Sequence, residues 1–165
     1  MKQSFDDLFS IRGRTALVTG GSRGIGEMIA AGFLAAGAKV YISSRKADAC
    51  DATAKRLADA YGGTCVSLPA DLSRMDGVES LAQRLAEREA QLDILVNNAG
   101  ASWGAPIDAF PEAGWDKVMD TNVKGVFFLT QKLLPLLRKS GASGPPARVI
   151  NIGSIGGLRP SGFDA

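Results

Sequence analysis

The sequence contains no histidine. That absence excludes a Ser-His-Asp hydrolytic triad within the chain and removes the commonest nitrogen ligand of zinc, so no metal site is expected. Cysteine is scarce as well: Cys50 and Cys65 are the only two, lack CxxC spacing, and fall in a predicted helix and a predicted strand. They read as reduced structural thiols of a cytoplasmic protein rather than as a disulfide framework. Net charge is only +2, from 19 Lys and Arg against 17 Asp and Glu. An excess that small gives no footing for a nucleic-acid or anionic-membrane partner. No apolar run is long enough to span a bilayer. The opening MKQSFDDLFSIRGR carries acids where a secretion signal needs a long apolar core.

What is present fits one folded domain, residues 1–165, with 45% hydrophobic and 22% charged residues. Glycine is in excess, at 20, and several fall in tight clusters, which suggests backbone closely approaching a ligand. Short apolar runs alternate with longer helical ones. RTALVTG, AKVYISS, TCVSLPAD, LDILVNNAG and GPPARVINIGS read as five strands. Between the first two, GIGEMIAAGFLAAG places Ile25, Ile29 and Phe33 at i, i+4, i+8, one apolar helix face. KADACDATAKRLADAYGG is a second helix, closed by glycines that suit a C-cap, and GVESLAQRLAEREAQ a third. The stretch GWDKVMDTNVKGVFFLTQKLLPLLRKSG is a long helix with a bend expected at Pro135.

ALVTG, ILVNN and RVINI are nearly continuous apolar runs, the signature of strands buried on both faces, and hence of a parallel sheet with helices on each side. The expected fold is therefore a doubly wound α/β domain. Its first strand-to-helix junction is TGGSRGIG, residues 19–26, comprising Gly20, Gly21, Ser22, Arg23, Gly24, Ile25 and Gly26. At such a junction unpaired N–H groups and the positive end of the helix dipole receive a pyrophosphate. Gly20 permits the sharp turn, Gly24 the close approach of phosphate, and Gly26 close packing of helix on strand; a merely glycine-rich turn is the alternative.

The spacing T-G-x-x-x-G-x-G, together with Asp71-Leu72 after the third strand, NNAG (Asn97, Asn98, Ala99, Gly100) after the fourth, TNVKGVF with Asn122, and RVINIGS with Ser154, resembles the short-chain dehydrogenase/reductases in order and approximate spacing. Among their branches the chain is most similar to bacterial 3-oxoacyl-carrier-protein reductases, including the rhamnolipid-pathway type. The resemblance implies a Rossmann fold with strands one to five present and the C-terminal strands and helices missing. It also implies a small-molecule carbonyl or alcohol substrate, no nucleic-acid or membrane partner, and a homodimer or homotetramer at full length.

Coenzyme choice is expected at the end of strand two. VYISSRK has Ser44 where an acid would favour NAD, followed by Arg45, and Arg23 can reach the same place from the glycine loop. Two guanidinium groups and a hydroxyl suit a 2′-phosphate, which points to NADP; arginines merely solvated at element ends are the alternative. By resemblance Asp71 contacts the adenine amino group, though it can equally cap the helix beginning near Ser73. NNAG borders the adenosine ribose, with a structural role for its asparagines left open. Ser154 would bond the substrate carbonyl, or cap its own turn. Asn122 would orient a proton-relaying water, or bond its own backbone. Trp103, in ASWGAPIDAF, would line the substrate pocket or serve packing.

The resemblance also calls for a Tyr-x-x-x-Lys proton donor about thirteen residues beyond the serine, which falls past Ala165. Tyr41 and Tyr61, the only tyrosines, begin no such motif. The 165 residues alone are thus expected to bind NADP without catalysis. RVINIGS is expected to form a bare sheet edge, and VFFLTQKLLPLL to expose apolar surface that further elements would cover. A catalytically inert NADP-binding module is the rival reading.

Overall fold

A computed structural model describes residues 9–157 of the chain. Residues 1–8, within the stretch read for a secretion signal, and residues 158–165 lie outside the described part. Five parallel strands form one sheet: β1 (Thr15–Thr19), β2 (Lys39–Ser43), β3 (Cys65–Ser67), β4 (Ile94–Asn97) and β5 (Arg148–Asn151), in the order β3-β2-β1-β4-β5. Helices α1 (Gly24–Ala35) and α2 (Ala47–Tyr61) cover one face. The other face is covered by α3 (Met75–Ala86) and by a long helical run made of α4 (Glu112–Met119), a π-turn (Asp120–Lys124) and α5 (Gly125–Ser143). This is the doubly wound arrangement expected, and it builds a core on each face. Ala16, Val18, Val40 and Ile42 pack under α1 and α2; Leu17, Tyr41 and Leu95 pack under α3 and α5.

Strand pairing follows from burial. In β1 and β4 every residue is buried, and Ala16, Leu17 and Val18 register with Ile94, Leu95 and Val96. Side chains of opposite parity feed the two cores. The expectation that RVINI is buried on both faces does not hold. All four residues of β5 are exposed, because it is an edge strand paired only with β4 among the described residues. It is the bare edge the sequence also suggested. In the preceding helix, α5, Phe127 is 61% exposed, but Leu129, Leu133, Leu136 and Leu137 are core residues, so VFFLTQKLLPLL is mostly covered.

The first helix corrects a second expectation. Its buried face is Gly26, Ala30 and Leu34, one residue round from the expected one, and Ile25 is 58% exposed. Small residues face the sheet because the helix starts almost in contact with the preceding turn: a Cβ on Gly26 would stand 2.3 Å from the Gly20 carbonyl oxygen. Helix α2 ends as expected on Gly62, whose φ of +66° is the left-handed conformation of a helix C-cap and whose N–H donates to Ala58 O at 2.9 Å. Pro135 is accommodated inside α5. The irregularity in the long helix falls earlier, at the π-turn carrying Asn122. Helix α3 begins at Met75, between Ser73 and the Gly77 that opens GVESLAQRLAEREAQ, after a turn in which Asp71 holds Ser73.

Candidate functional site

The strand order reverses between β1 and β4, and ligands of open α/β sheets bind in the crevice outside the carboxyl ends of strands at such a point. The glycine loop and NNAG lie on either side of it. Gly20 and Gly24 have φ of +65° and +57°, a backbone that side chains disfavour. A Cβ on Gly24 would meet nothing within 4 Å, so the space over the start of α1 is open. Gly21 is different: a Cβ there would lie 2.7 Å from Ile42, and its N–H donates to Ser43 O at 3.1 Å, seating the loop on the end of β2.

NNAG is bolted to this loop. Thr19, buried at the end of β1, accepts on Oγ1 from the N–H groups of Asn98 (2.9 Å) and Ala99 (3.0 Å) and donates to Val96 O (3.2 Å). Asn98 Nδ2 donates to Thr19 O at 2.9 Å and to Gly20 O at 3.4 Å. Asn97 Nδ2 donates to Asn151 Oδ1 (2.8 Å) and Thr130 Oγ1 (3.2 Å), tying β4 to β5 and α5. The structural role left open for both asparagines is therefore occupied. Thr19 and Gly21 fall within the glycine motif but were given no role by sequence reasoning, and Thr130 was not singled out; a threonine closing an apolar strand next to a glycine turn was the available signal.

Asp71 and Leu72 are fixed by two glycines that motif reading also missed. A Cβ on Gly77 would stand 2.0 Å from Asp71 O, and one on Gly125 would stand 2.3 Å from Leu72 O. Asp71 Oδ1 accepts from Ser73 N–H (3.1 Å) and Oγ–H (2.8 Å). Leu72 is buried in the core, so any ligand contact it makes runs through the main chain. At the end of β2, Ser44 is half-buried with its hydroxyl donating to Lys46 O at 3.3 Å. Arg23 and Arg45 are exposed, and neither pairs with a carboxylate among the described residues. Unneutralised guanidinium groups are the kind of donor that suits a phosphate dianion.

Asn122 lies in the π-turn, an insertion that frequently marks functional positions in helices. Its Oδ1 accepts from Ala101 N–H and its Nδ2 donates to Ala101 O, both at 2.8 Å, so the bonds go to the loop after NNAG and not to its own helix. Trp103, in that loop, lies against Gly114, where a Cβ would come within 2.7 Å of the ring, and Lys117 Nζ sits 4.9 Å from the ring centre. Packing thus occupies Trp103. Ser154 is exposed just past β5; its Oγ accepts from Gly156 N–H at 3.1 Å and its carbonyl from Gly157 N–H at 3.0 Å. The turn-capping role is real and leaves the hydroxyl proton available to donate.

Other features belong to the scaffold. Tyr41 is buried and donates to Glu89 at 2.5 Å, while Tyr61 ends α2 at the opposite end of the sheet. A cleft of about 420 Å³ there, lined by Arg12, Gly37, Lys39 and Tyr61 among others, is built on the C-terminal ends of α1 and α2. Those ends disfavour anions. No helix of the described residues is long and apolar enough to cross a membrane.

Fold and site together define a doubly wound α/β domain whose candidate binding edge lies at the carboxyl ends of β1, β2 and β4. Residues 14–164 match the family model of the short chain dehydrogenases, and the chain belongs to that family. It is 59% identical over 95% of its length to a rhamnolipids biosynthesis 3-oxoacyl-[acyl-carrier-protein] reductase of Pseudomonas aeruginosa, and covers 60% of that protein. It is 36% identical to a gluconate 5-dehydrogenase of Gluconobacter oxydans, over 92% of this chain and 57% of the relative. Among solved structures it is similar to an NADP active-site complex of Pseudomonas aeruginosa RhlG, with a TM-score of 0.89, 58% identity, and 95% and 60% of the two chains covered. A 3-oxoacyl (acyl-carrier-protein) reductase of Agrobacterium tumefaciens C58 with NADP bound gives 0.83 and 38%, covering 98% and 60%. The chain therefore spans about three-fifths of the length of these relatives.

Proposed function

We propose that the chain binds NADPH across the carboxyl ends of β1, β2 and β4, as part of a reductase that transfers hydride to a ketone, with a 3-oxoacyl thioester as the substrate class. The observation that carries the coenzyme assignment is an open, left-handed Gly24 at the start of α1 together with two arginines paired to no carboxylate among the described residues, Arg23 in the glycine loop and Arg45 just past the end of β2. The N–H groups opening α1 hold the diphosphate. Arg23, Ser44 and Arg45 hold the 2′-phosphate, where an acid would repel it. Asp71 orients the adenine, and the main chain of Asn98, Ala99 and Gly100 borders the ribose.

When bound, the nicotinamide supplies the hydride. Ser154 Oγ–H donates to the substrate carbonyl oxygen and steadies the negative charge that develops there. Asn122 holds the loop from Ala101 that walls the site and orients the water of the proton relay. Tyr41 is buried against Glu89 and Tyr61 lies at the opposite end of the sheet, so neither is positioned to deliver the proton. The reductase assembles as a homodimer or homotetramer, an assignment supported by Trp115, Val123 and Phe127, exposed apolar residues along the long helical run. It works in the cytoplasm, where the buried Cys50 and the Cys65 thiol, pushed up to about 11 mainly by burial, stay reduced.

Titration calorimetry tests the coenzyme assignment. NADPH should bind more tightly than NADH by about tenfold or more, from charge-assisted bonds to the 2′-phosphate. Equal affinities would refute it.

A further inference from the structure

The segment from Gly21 to Arg23 is bounded by two glycines in left-handed conformation, Gly20 and Gly24, which leaves its backbone few steric restraints of its own. It nevertheless carries Arg23. One side-chain hydrogen bond reaches this segment among the described residues: Thr53 Oγ1, on α2, donates to Ser22 O at 3.0 Å. Thr53 is buried beside Cys50, Ala54 and Leu57. A threonine inside a helix ordinarily returns its hydroxyl to a carbonyl of its own preceding turn. Here the bond crosses 31 residues of sequence to another element. Helix α2 starts at Ala47, one residue beyond Arg45, so the same helix that leads from one arginine holds the carbonyl next to the other. The Gly21 N–H bond to Ser43 O at 3.1 Å seats the loop on β2 but ends two residues short of Arg23. The Arg56–Glu27 ion pair at 2.9 Å ties α2 to α1 beyond it, on a solvated surface where such pairs are weak.

We propose that Thr53 is a positioning residue for coenzyme selectivity: through Ser22 it keeps Arg23 in register with Ser44 and Arg45, so that both guanidinium groups serve one phosphate. The inference rests on the NADPH assignment above. A loop released at Ser22 still offers the N–H groups opening α1, which serve both coenzymes, but misplaces the cation that only NADPH uses.

The test compares NADPH and NADH affinities by calorimetry in the unaltered chain, Thr53→Val and Thr53→Ser. Thr53→Val should weaken NADPH roughly three- to tenfold, the worth of one buried hydrogen bond, while NADH changes less than about twofold. Thr53→Ser, which keeps the donor, should restore the ratio. Thr53→Ala serves the same comparison if valine compromises folding. A ratio unchanged in the hydroxyl-free variants, with or without a lower melting temperature, would reduce Thr53 to a structural residue and overturn the inference. Parallel weakening of both coenzymes would do the same. If the unaltered chain binds NADPH no better than NADH, the coenzyme assignment itself falls, and this inference with it.

Discussion

Asn122 and Ala101 hold each other through two hydrogen bonds of equal length, each partner donating once and accepting once at 2.8 Å. The side chain's donor and acceptor both face the same loop residue, so the π-turn and the loop after NNAG move as one piece. Asn122→Leu removes both bonds and should cost about 1–2 kcal/mol of stability in urea unfolding, given the partial exposure of the pair. Amide exchange at Ala101 should accelerate in the variant, while exchange in β1 should not.

The glycines of the binding loop should respond differently to the same substitution. Gly26→Ala forces a methyl to within 2.3 Å of Gly20 O and 2.5 Å of Asn98 Nδ2, so α1 must shift. A loss of roughly 1–3 kcal/mol in thermal unfolding is expected, with weakened coenzyme binding. Gly24→Ala meets no atom within 4 Å but strains a φ of +57°. Its stability cost should be smaller, about 1 kcal/mol.

Coenzyme preference should shift on changing one position. Arg45→Asp exchanges a free cation for a carboxylate beside Ser44. It should weaken NADPH by about tenfold or more while leaving NADH little changed, measured by calorimetry. Equal losses for both coenzymes would show that Arg45 faces something other than the 2′-phosphate.

Acid sensitivity should trace to the opposite end of the sheet. Asp93 is buried there, accepting from Thr15 N–H (2.8 Å), Ser140 Oγ (2.6 Å) and Arg14 (3.1 Å). Burial alone would raise its pKa, but these bonds outweigh burial and hold the carboxyl below the usual carboxylate range. A depressed pKa in the folded state means stability that is present above the ordinary carboxylate range and lost as pH falls through the folded value. Asp93→Asn should cost about 2–4 kcal/mol at neutral pH. It should also flatten the decline in melting temperature below about pH 4.

Much of this was legible in the sequence. The apolar strands and the glycine spacing fixed the sheet and the loop, because both are set by local rules of burial and backbone conformation. Gly20 makes the turn and Gly26 the tight packing assigned to them, and Gly24 has a positive φ with open space around it. What escaped was set by contacts distant in sequence. The face of α1 shifted because Gly20 and Asn98 crowd Gly26, a contact no helical periodicity reports. RVINI reads as a central strand, yet its burial depends on neighbours and not on its own residues. Thr19, Thr53 and the glycines at 77 and 125 look ordinary until the chain folds. Their function is to hold main chain contributed by other elements.

The most direct measurement is a crystal structure of the chain with NADPH. The diphosphate should lie over the N–H groups that open α1, above Gly24, and the 2′-phosphate should lie between Arg23 and Arg45. Coenzyme bound elsewhere, or a 2′-phosphate turned away from both arginines, would contradict the account.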